Sequence, residues 1–342
     1  MQMLQAVFLF LLGLVLLIKG GDWFVDGATG IARRFKLPEI LIGATVVSIG
    51  TTLPEVMVSA GAAIGGQGSI AYGNAIGSII CNTALIAAIT IAIKPGKVDK
   101  KSLIIPVSFF FVAAAFYSIV SYTLGYFHRW VGIVLLSIFV IYTVITVLRM
   151  KKAPTEETNE EEEKEQKLEK LPLGKEIWAQ VRGKRTSIAR EIILLVIGAA
   201  VIAVGADLLV DNGILIANEL GVPETVIALT FVALGTSLPE LVTAITSLIK
   251  GHGSLSLGNI VGANIFNLVL VSGVSVTISP FEVPVASQLF GQNASLVLDI
   301  PVMISVMLIM CIPALIRGKL SRVQGILLLA IYAAFCTVQF VM

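Results

Sequence analysis

The sequence predicts an all-α membrane protein: ten transmembrane helices arranged as two inverted five-helix repeats. Three observations carry this expectation. The 342-residue chain has a mean hydropathy of +0.94, with 56% hydrophobic and 13% charged residues, against about 25% charged in soluble domains. Its apolar stretches divide into ten segments long enough to cross a bilayer. One pattern is also written twice at a fixed offset, with an odd number of segments between the copies.

About twenty apolar residues span a bilayer core as a helix. The segments are 3–20, 38–64, 69–93, 102–122, 129–149, 188–212, 222–249, 254–278, 294–316 and 322–341. Segments 38–64 and 222–249 are longer than needed, and each has a proline near its middle. The first segment lacks a basic leading region and a small-residue cleavage site, so it reads as a retained helix and not a signal peptide. Three parts follow: a first five-helix repeat at 1–150, a charged linker at 151–187, and a second, inverted repeat at 188–342.

Basic residues set the orientation, because Lys and Arg accumulate in cytoplasmic loops. Arg33, Arg34 and Lys36 follow the first segment, and Lys94, Lys97, Lys100 and Lys101 the third. Lys250 follows the seventh, and Arg317, Lys319 and Arg322 follow the ninth. The opposite loops hold almost none, Arg129 excepted, while Asp207, Asp211, Glu219 and Glu224 lie without a basic neighbour. This reads as a multi-pass protein of the cell membrane with both termini outside and the linker cytoplasmic. The linker's acidic stretch at 160–165 reads as a solvated face, and Trp178 as a residue resting on the membrane surface.

The duplicated pattern is GATVVSIGTTLPE followed by GNAIGSIICN, then ALTFVALGTSLPE followed by GNIVGANIFN. Glu55 and Glu240 are 185 positions apart (240 − 55), as are Asp22 and Asp207, Pro54 and Pro239, Gly73 and Gly258, and Asn82 and Asn267. Five segments separate the copies, so the second enters the membrane upside down. Inverted repeats of this kind place a substrate site near the midplane, on interrupted helices.

The chemistry gathers on two isolated carboxylates. Glu55 is the only formal charge from Leu41 to Ile93, and Glu240 is equally alone between Thr225 and Ile249. A charge within a membrane segment is costly and marks function by default. Pro54 and Pro239 cannot donate a backbone hydrogen bond, so carbonyls from Ser48 to Thr51, and their counterparts, are expected to turn toward a cation. Thr51, Thr52, Thr236 and Ser237 add hydroxyls, and Asn74, Asn82, Asn259, Asn264 and Asn267 add amide oxygens. Glycines four apart, at 73 and 77 and at 258 and 262, allow close helix packing. Such oxygen ligands suit hard cations, Ca²⁺ above all. Two glutamates balance one Ca²⁺, two Na⁺ or two protons.

Other classes fit less well. Cys81, Cys311 and Cys336 show no pairing or metal-binding spacing, and His128 and His252 lie in different loops, which argues against zinc or copper. No phosphate-binding loop supports an ATP-driven pump. No cofactor, nucleic acid or obligate protein partner is expected beyond the lipid bilayer. An intramembrane aspartyl enzyme would need acids meeting at catalytic distance, whereas Asp22, Asp26, Asp207 and Asp211 sit near segment ends. They read as interfacial acids, or as part of an ion-access gate. A passive channel needs weak, multi-site binding, unlike a paired-glutamate site.

These repeats resemble the two α-repeats of the cation/Ca²⁺ exchanger superfamily, specifically the prokaryotic type of its Na⁺/Ca²⁺ exchanger branch. The resemblance covers all ten segments and is densest at 38–90 and 222–275. It implies a secondary antiporter, not an enzyme, exchanging Ca²⁺ for Na⁺ by alternating access, with H⁺ coupling as the alternative. It implies Glu55 and Glu240 as central Ca²⁺ ligands, helped by the Thr51 and Thr236 carbonyls. Thr52, Ser78, Ser237 and carbonyls near Ser48 and Ala233 would complete flanking Na⁺ sites. Asn82 and Asn267 would face the cluster's centre, and the first and sixth helices would form a sliding gate. Two positions depart from the family pattern: Asn267 stands where an Asp is frequent, and Ala263 where a Ser is. Fewer charges and hydroxyls leave the coupling ion and its count open.

Overall fold

The computed structural model describes residues 2–35, 37–150, 187–219, 235–285, 288–289 and 291–341. Nearly all of the linker, the first half of segment 222–249 with Glu224, and Ala233 lie outside the described residues. Ten helices follow in chain order. They are α1 (Gln2–Arg34), α2 (Glu39–Ile64), α3 (Gly68–Ile93), α4 (Lys100–Leu124) and α5 (Arg129–Met150). The second half gives α6 (Ile188–Glu219), α7 (Leu238–Ile249), α8 (Gly253–Ile278), α9 (Ser295–Arg317) and α10 (Arg322–Val341). All but α7 are long and apolar enough to cross a membrane.

Both α1 and α6 outrun their predicted segments. Asp22 and Asp26 lie inside α1, and Asp207 and Asp211 inside α6, not near helix ends as expected. Hydropathy falls at Lys19, but no helix-breaking residue follows before Pro38. The poor helix propensity of glycine is offset by close packing between the two helices. A Cβ on Gly13 would stand 2.8 Å from the Gly205 carbonyl oxygen, and one on Gly27 2.6 Å from that of Glu191. The partner's number falls as the α1 number rises, so the pair is antiparallel, as inversion requires. Gly13, Gly20 and Gly27 recur every seven residues, the period of a left-handed pair.

The interior is built from α2, α3, α7 and α8, with α1 and α6 along one flank. Repeat symmetry shows in the outer helices: α5 packs on the second half of α8, and α10 on the second half of α3. Close approach of α2 and α8 depends on glycine. A Cβ on Gly258 would overlap the Ile40 carbonyl, and one on Gly262 the Ser48 hydroxyl. Among the described residues Gly73 and Gly77 meet nothing within 4 Å; the repeat counterparts of Ile40 and Ala44 fall at 225 and 229, outside the described residues. Gly258→Ala is therefore expected to cost about 1–3 kcal/mol through overpacking. Thermal unfolding in detergent should show a lower midpoint for Gly258→Ala than for the wild type.

Loop contacts sort the connections by face. Val98 N–H donates to the Gly318 carbonyl and Leu320 N–H to that of Gly96, both at 2.9 Å, joining the α3–α4 and α9–α10 loops. The first of these loops also lines a cavity of about 230 Å³ with Gly251, Gly253, Ser254 and Ser256, and His252 pairs with Glu39 at 2.7 Å. On the other face, Tyr126 and Phe127 pair antiparallel with Glu282 and Phe281. There Arg129 also caps α8 through the Thr277 and Ile278 carbonyls, at 3.0 and 3.3 Å. The described loop basics, Arg129 apart, share the first face, in the alternation that the charge pattern predicts. Local signals close the helices: Asp99 caps α4 by accepting from Lys101 N–H at 3.0 Å, and Gly125 ends it at φ 63°.

Candidate functional site

Glu55 on α2 and Glu240 in the first turn of α7 are both 0% exposed. They are close enough for the charge of one to act directly on the other. Among the described residues none of their four carboxylate oxygens has a hydrogen-bond partner. The same is true of the Thr52 and Ser237 hydroxyls and of both amide atoms of Asn82 and Asn267, all fully or almost fully buried. Buried polar groups are normally paired, and clustered exceptions need a physical reason. Two like charges in a low dielectric repel strongly unless a cation or protons neutralise them. This arrangement is suited to holding positive charge.

The helices deliver these groups through local irregularity. The second halves of α3 and α8 each pass through a wider π-helical stretch, and it opens at Asn82 in one and at Asn267 in the other. Such stretches re-aim side chains and often mark functional positions. A third lies at Gly43–Val47 of α2, where the buried Tyr142 hydroxyl donates to the Ala44 carbonyl at 2.9 Å. The two prolines behave differently. Pro239 sits in the first turn of α7, which begins just after a turn at Thr236 and Ser237. Pro54 lies inside an unbroken helix from Ser48 to Ile64. The expected break at Thr51 and Thr52 is not made; the π-helical stretch lies just before this helix.

Crossed hydrogen bonds brace the site with repeat symmetry. Thr51 donates to Asn259 Oδ1 at 3.2 Å, and its counterpart Thr236 donates to Asn74 Oδ1 at 3.3 Å. Asn74 Nδ2 continues to the Glu55 carbonyl at 3.2 Å and to Ser59 Oγ at 2.8 Å. Asn259 Nδ2 makes neither link: it has no partner among the described residues, and Ala244 stands where Ser59 would be repeated. Thr51 and Thr52 also lie beside the Glu240 carboxylate, short of hydrogen-bond geometry.

The described site residues are drawn from both repeats. Glu55, Thr51, Thr52 and Ser48 come from α2, Ser78 and Asn82 from α3, Glu240 from α7 with Thr236 and Ser237 just before it, and Asn267 from α8; all but Thr236 are buried. The Ser48 hydroxyl is committed to the Gly43 and Asn259 carbonyls at 2.7 and 2.9 Å. Asn264, which has Ile79 as counterpart, turns to Thr83 Oγ1 at 2.7 Å and to Met307 Sδ. Two buried hydroxyls on α7, Thr243 and Ser247, were not singled out by the sequence; neither has a partner. Asp299, also passed over, lies in the first turns of α9 and accepts from Gln339 at 2.8 Å. Among the described residues no group of three or more His, Cys, Asp or Glu could hold a metal ion. A cation here would rest on two carboxylates and neutral oxygens.

The profile of a family described as "Sodium/calcium exchanger protein" matches residues 5–148 and 190–341. The chain is 32% identical over 352 residues to Sodium/calcium exchanger MaX1 of Methanosarcina acetivorans, covering 97% of each. It is 34% identical over 337 residues to a membrane protein of Methanocaldococcus jannaschii, again covering 97% of each. Among solved structures, the sodium-calcium exchanger NCX_Mj soaked with Na⁺ and Sr²⁺ superposes with a TM-score of 0.77. Identity there is 32%, over 97% of this chain and 98% of that one. Family profile, relatives and fold agree: the chain belongs to the sodium/calcium exchanger family, whose members are membrane transporters and not enzymes.

Proposed function

We propose that this protein is a secondary antiporter that exchanges Ca²⁺ for Na⁺ by alternating access, at a midplane site built on Glu55 and Glu240. The observation that carries the reading is the pair of buried carboxylates, one from each inverted half (1–150 and 188–342), with all four oxygens unpartnered. Ca²⁺ takes about 6–8 oxygens in flexible geometry. The two carboxylates, the Thr51 and Thr236 carbonyls and the amide oxygens of Asn82 and Asn267 can supply such a set. Thr52, Ser78, Ser237 and carbonyls near Ser48 and Ala233 serve Na⁺ at the flanks. One Ca²⁺ and two Na⁺ each neutralise the pair, so the same carboxylates accept either load in turn, which is what exchange requires. The basic loop face is cytoplasmic by the positive-inside rule.

The test is flux in proteoliposomes with one gradient at a time. An outwardly directed Na⁺ gradient is expected to drive Ca²⁺ uptake. Uptake driven by a pH gradient and not by Na⁺ would replace Na⁺ with H⁺ as the coupling ion, and no Ca²⁺ uptake under either gradient would defeat the proposal.

A further inference from the structure

We infer that the second repeat alone carries a polar path for the cation, running along α7 from Glu240 to Lys250 and bolted there to α1. The inference rests on the exchanger reading above. Glu240, Thr243, Ser247 and Lys250 follow one another at spacings of three, four and three, which puts them on one face of a helix. The first three are 0% exposed. The hydroxyls of Thr243 and Ser247 have no partner. Several buried Ser and Thr elsewhere bond back to the carbonyl four residues earlier, among them Thr45 to Leu41 at 2.7 Å, and Ser121 to Tyr117 and Ser275 to Val271 at 2.8 Å. On α7 that local bond is not made, and the two oxygens stay available in the interior, in line with the Glu240 carboxylate.

The path is one-sided. At the repeat offset, the counterparts of Thr243, Ser247 and Lys250 are Val58, Ala62 and Gly65, with neither hydroxyl nor charge. Its outer end is held closed by Lys250. The Lys250 ammonium lies 2.7 Å from Asp26 Oδ1 and 3.3 Å from Asp22 Oδ1, and donates to the Asp22 carbonyl at 2.9 Å. Both acids belong to α1, which lies tight against α7 here: a Cβ on Gly21 would stand 2.7 Å from Val242 and 2.9 Å from Thr246 Oγ1. Asp207 and Asp211 repeat these acids on α6, but the position equivalent to Lys250 is glycine. Any movement of α1 along α7 must part this ion pair. The ammonium repels a cation at the end of the path, and parting the pair lets it swing clear.

Cysteine accessibility tests the path in a chain whose Cys81, Cys311 and Cys336 are replaced by serine. Ser247→Cys is expected to react with a membrane-impermeant cationic thiosulfonate from the basic-loop side roughly tenfold faster than from the other side, with Ca²⁺ slowing the reaction. Adding Lys250→Gln is expected to speed it further, and Ala62→Cys is expected to be inert from either side. Thr243→Val combined with Ser247→Ala, which copies the first repeat, should lower the exchange rate roughly tenfold while equilibrium Ca²⁺ binding stays unchanged. Inert Ser247→Cys with or without Lys250→Gln, an Ala62→Cys that reacts as fast, or an undiminished exchange rate in the double variant would each overturn the inference. Sided labelling in a protein that moves no Ca²⁺ would uphold the path and sink the exchanger reading instead.

Discussion

Glu55→Gln and Glu240→Gln are each expected to abolish Ca²⁺ exchange and leave the fold intact. The amide keeps the size and shape of the carboxylate, so the close packing of α2, α7 and α8 is not disturbed. What disappears is one of two full charges facing the cation. Removing one partner of a buried charged contact costs about 2–5 kcal/mol, or roughly thirtyfold to several-thousandfold in Ca²⁺ affinity. Stability moves the opposite way. In the ion-free protein the two carboxylates repel, with no hydrogen bond to offset the loss of hydration, so each variant should melt at or above the wild-type temperature. Saturating Ca²⁺ should raise the wild-type midpoint, since ligand at a hundred times its dissociation constant adds about 2.7 kcal/mol, and leave both variants where they were. Retained flux in both variants, or a Ca²⁺-induced shift as large as wild type's, would defeat the role given to this pair.

Much of this architecture is legible in the sequence because duplication leaves a record that composition alone does not. Two GTxLPE motifs at a constant offset and an odd number of spans between them imply an inverted pair. The antiparallel glycine contacts of α1 and α6 and the crossed bonds Thr51–Asn259 and Thr236–Asn74 follow that relation. Helix ends were not legible. Hydropathy falls at Lys19, while the helix runs to Arg34, because backbone packing and not apolarity sustains its last turns. Nor was the contrast between Pro54 and Pro239. The same six-residue motif lies inside a helix in one copy and at a helix start in the other, a contrast that no residue type announces.

The residues missed on α7 had a signal of another kind. Thr243 and Ser247 are unremarkable as a threonine and a serine in an apolar helix, where such side chains usually bond to their own backbone. Only position-by-position comparison of the repeats, Val58 with Thr243, Ala62 with Ser247 and Gly65 with Lys250, sets them apart. Matching positions in a duplicated transporter mark what both access states share. Mismatched positions mark what distinguishes one side of the membrane from the other, and three of them, Thr243, Ser247 and Lys250, share one face of α7 with Asp22 and Asp26 at its end.

The α1–α6 pair gives the second large expected effect: Gly13→Leu should stop exchange without removing Ca²⁺ binding. At Gly13 the two backbones are so close that a Cβ would lie 2.8 Å from both the Gly205 carbonyl oxygen and the Leu209 nitrogen. Main-chain atoms cannot turn aside as a flexible side chain would, so a leucine must push the helices apart. Glu55 and Glu240 reside on α2 and α7, outside this pair, and the cation site should survive the change. If α1 and α6 move over the interior helices as one body, separating them uncouples that movement. The exchange rate should then fall at least roughly tenfold, while calorimetry gives near-wild-type Ca²⁺ affinity. Gly13→Ala should fall between the two, its single methyl forcing a smaller separation. Loss of binding together with flux would place α1 within the structural support of the site, and unimpaired flux would mean that close α1–α6 packing is not needed for access to alternate.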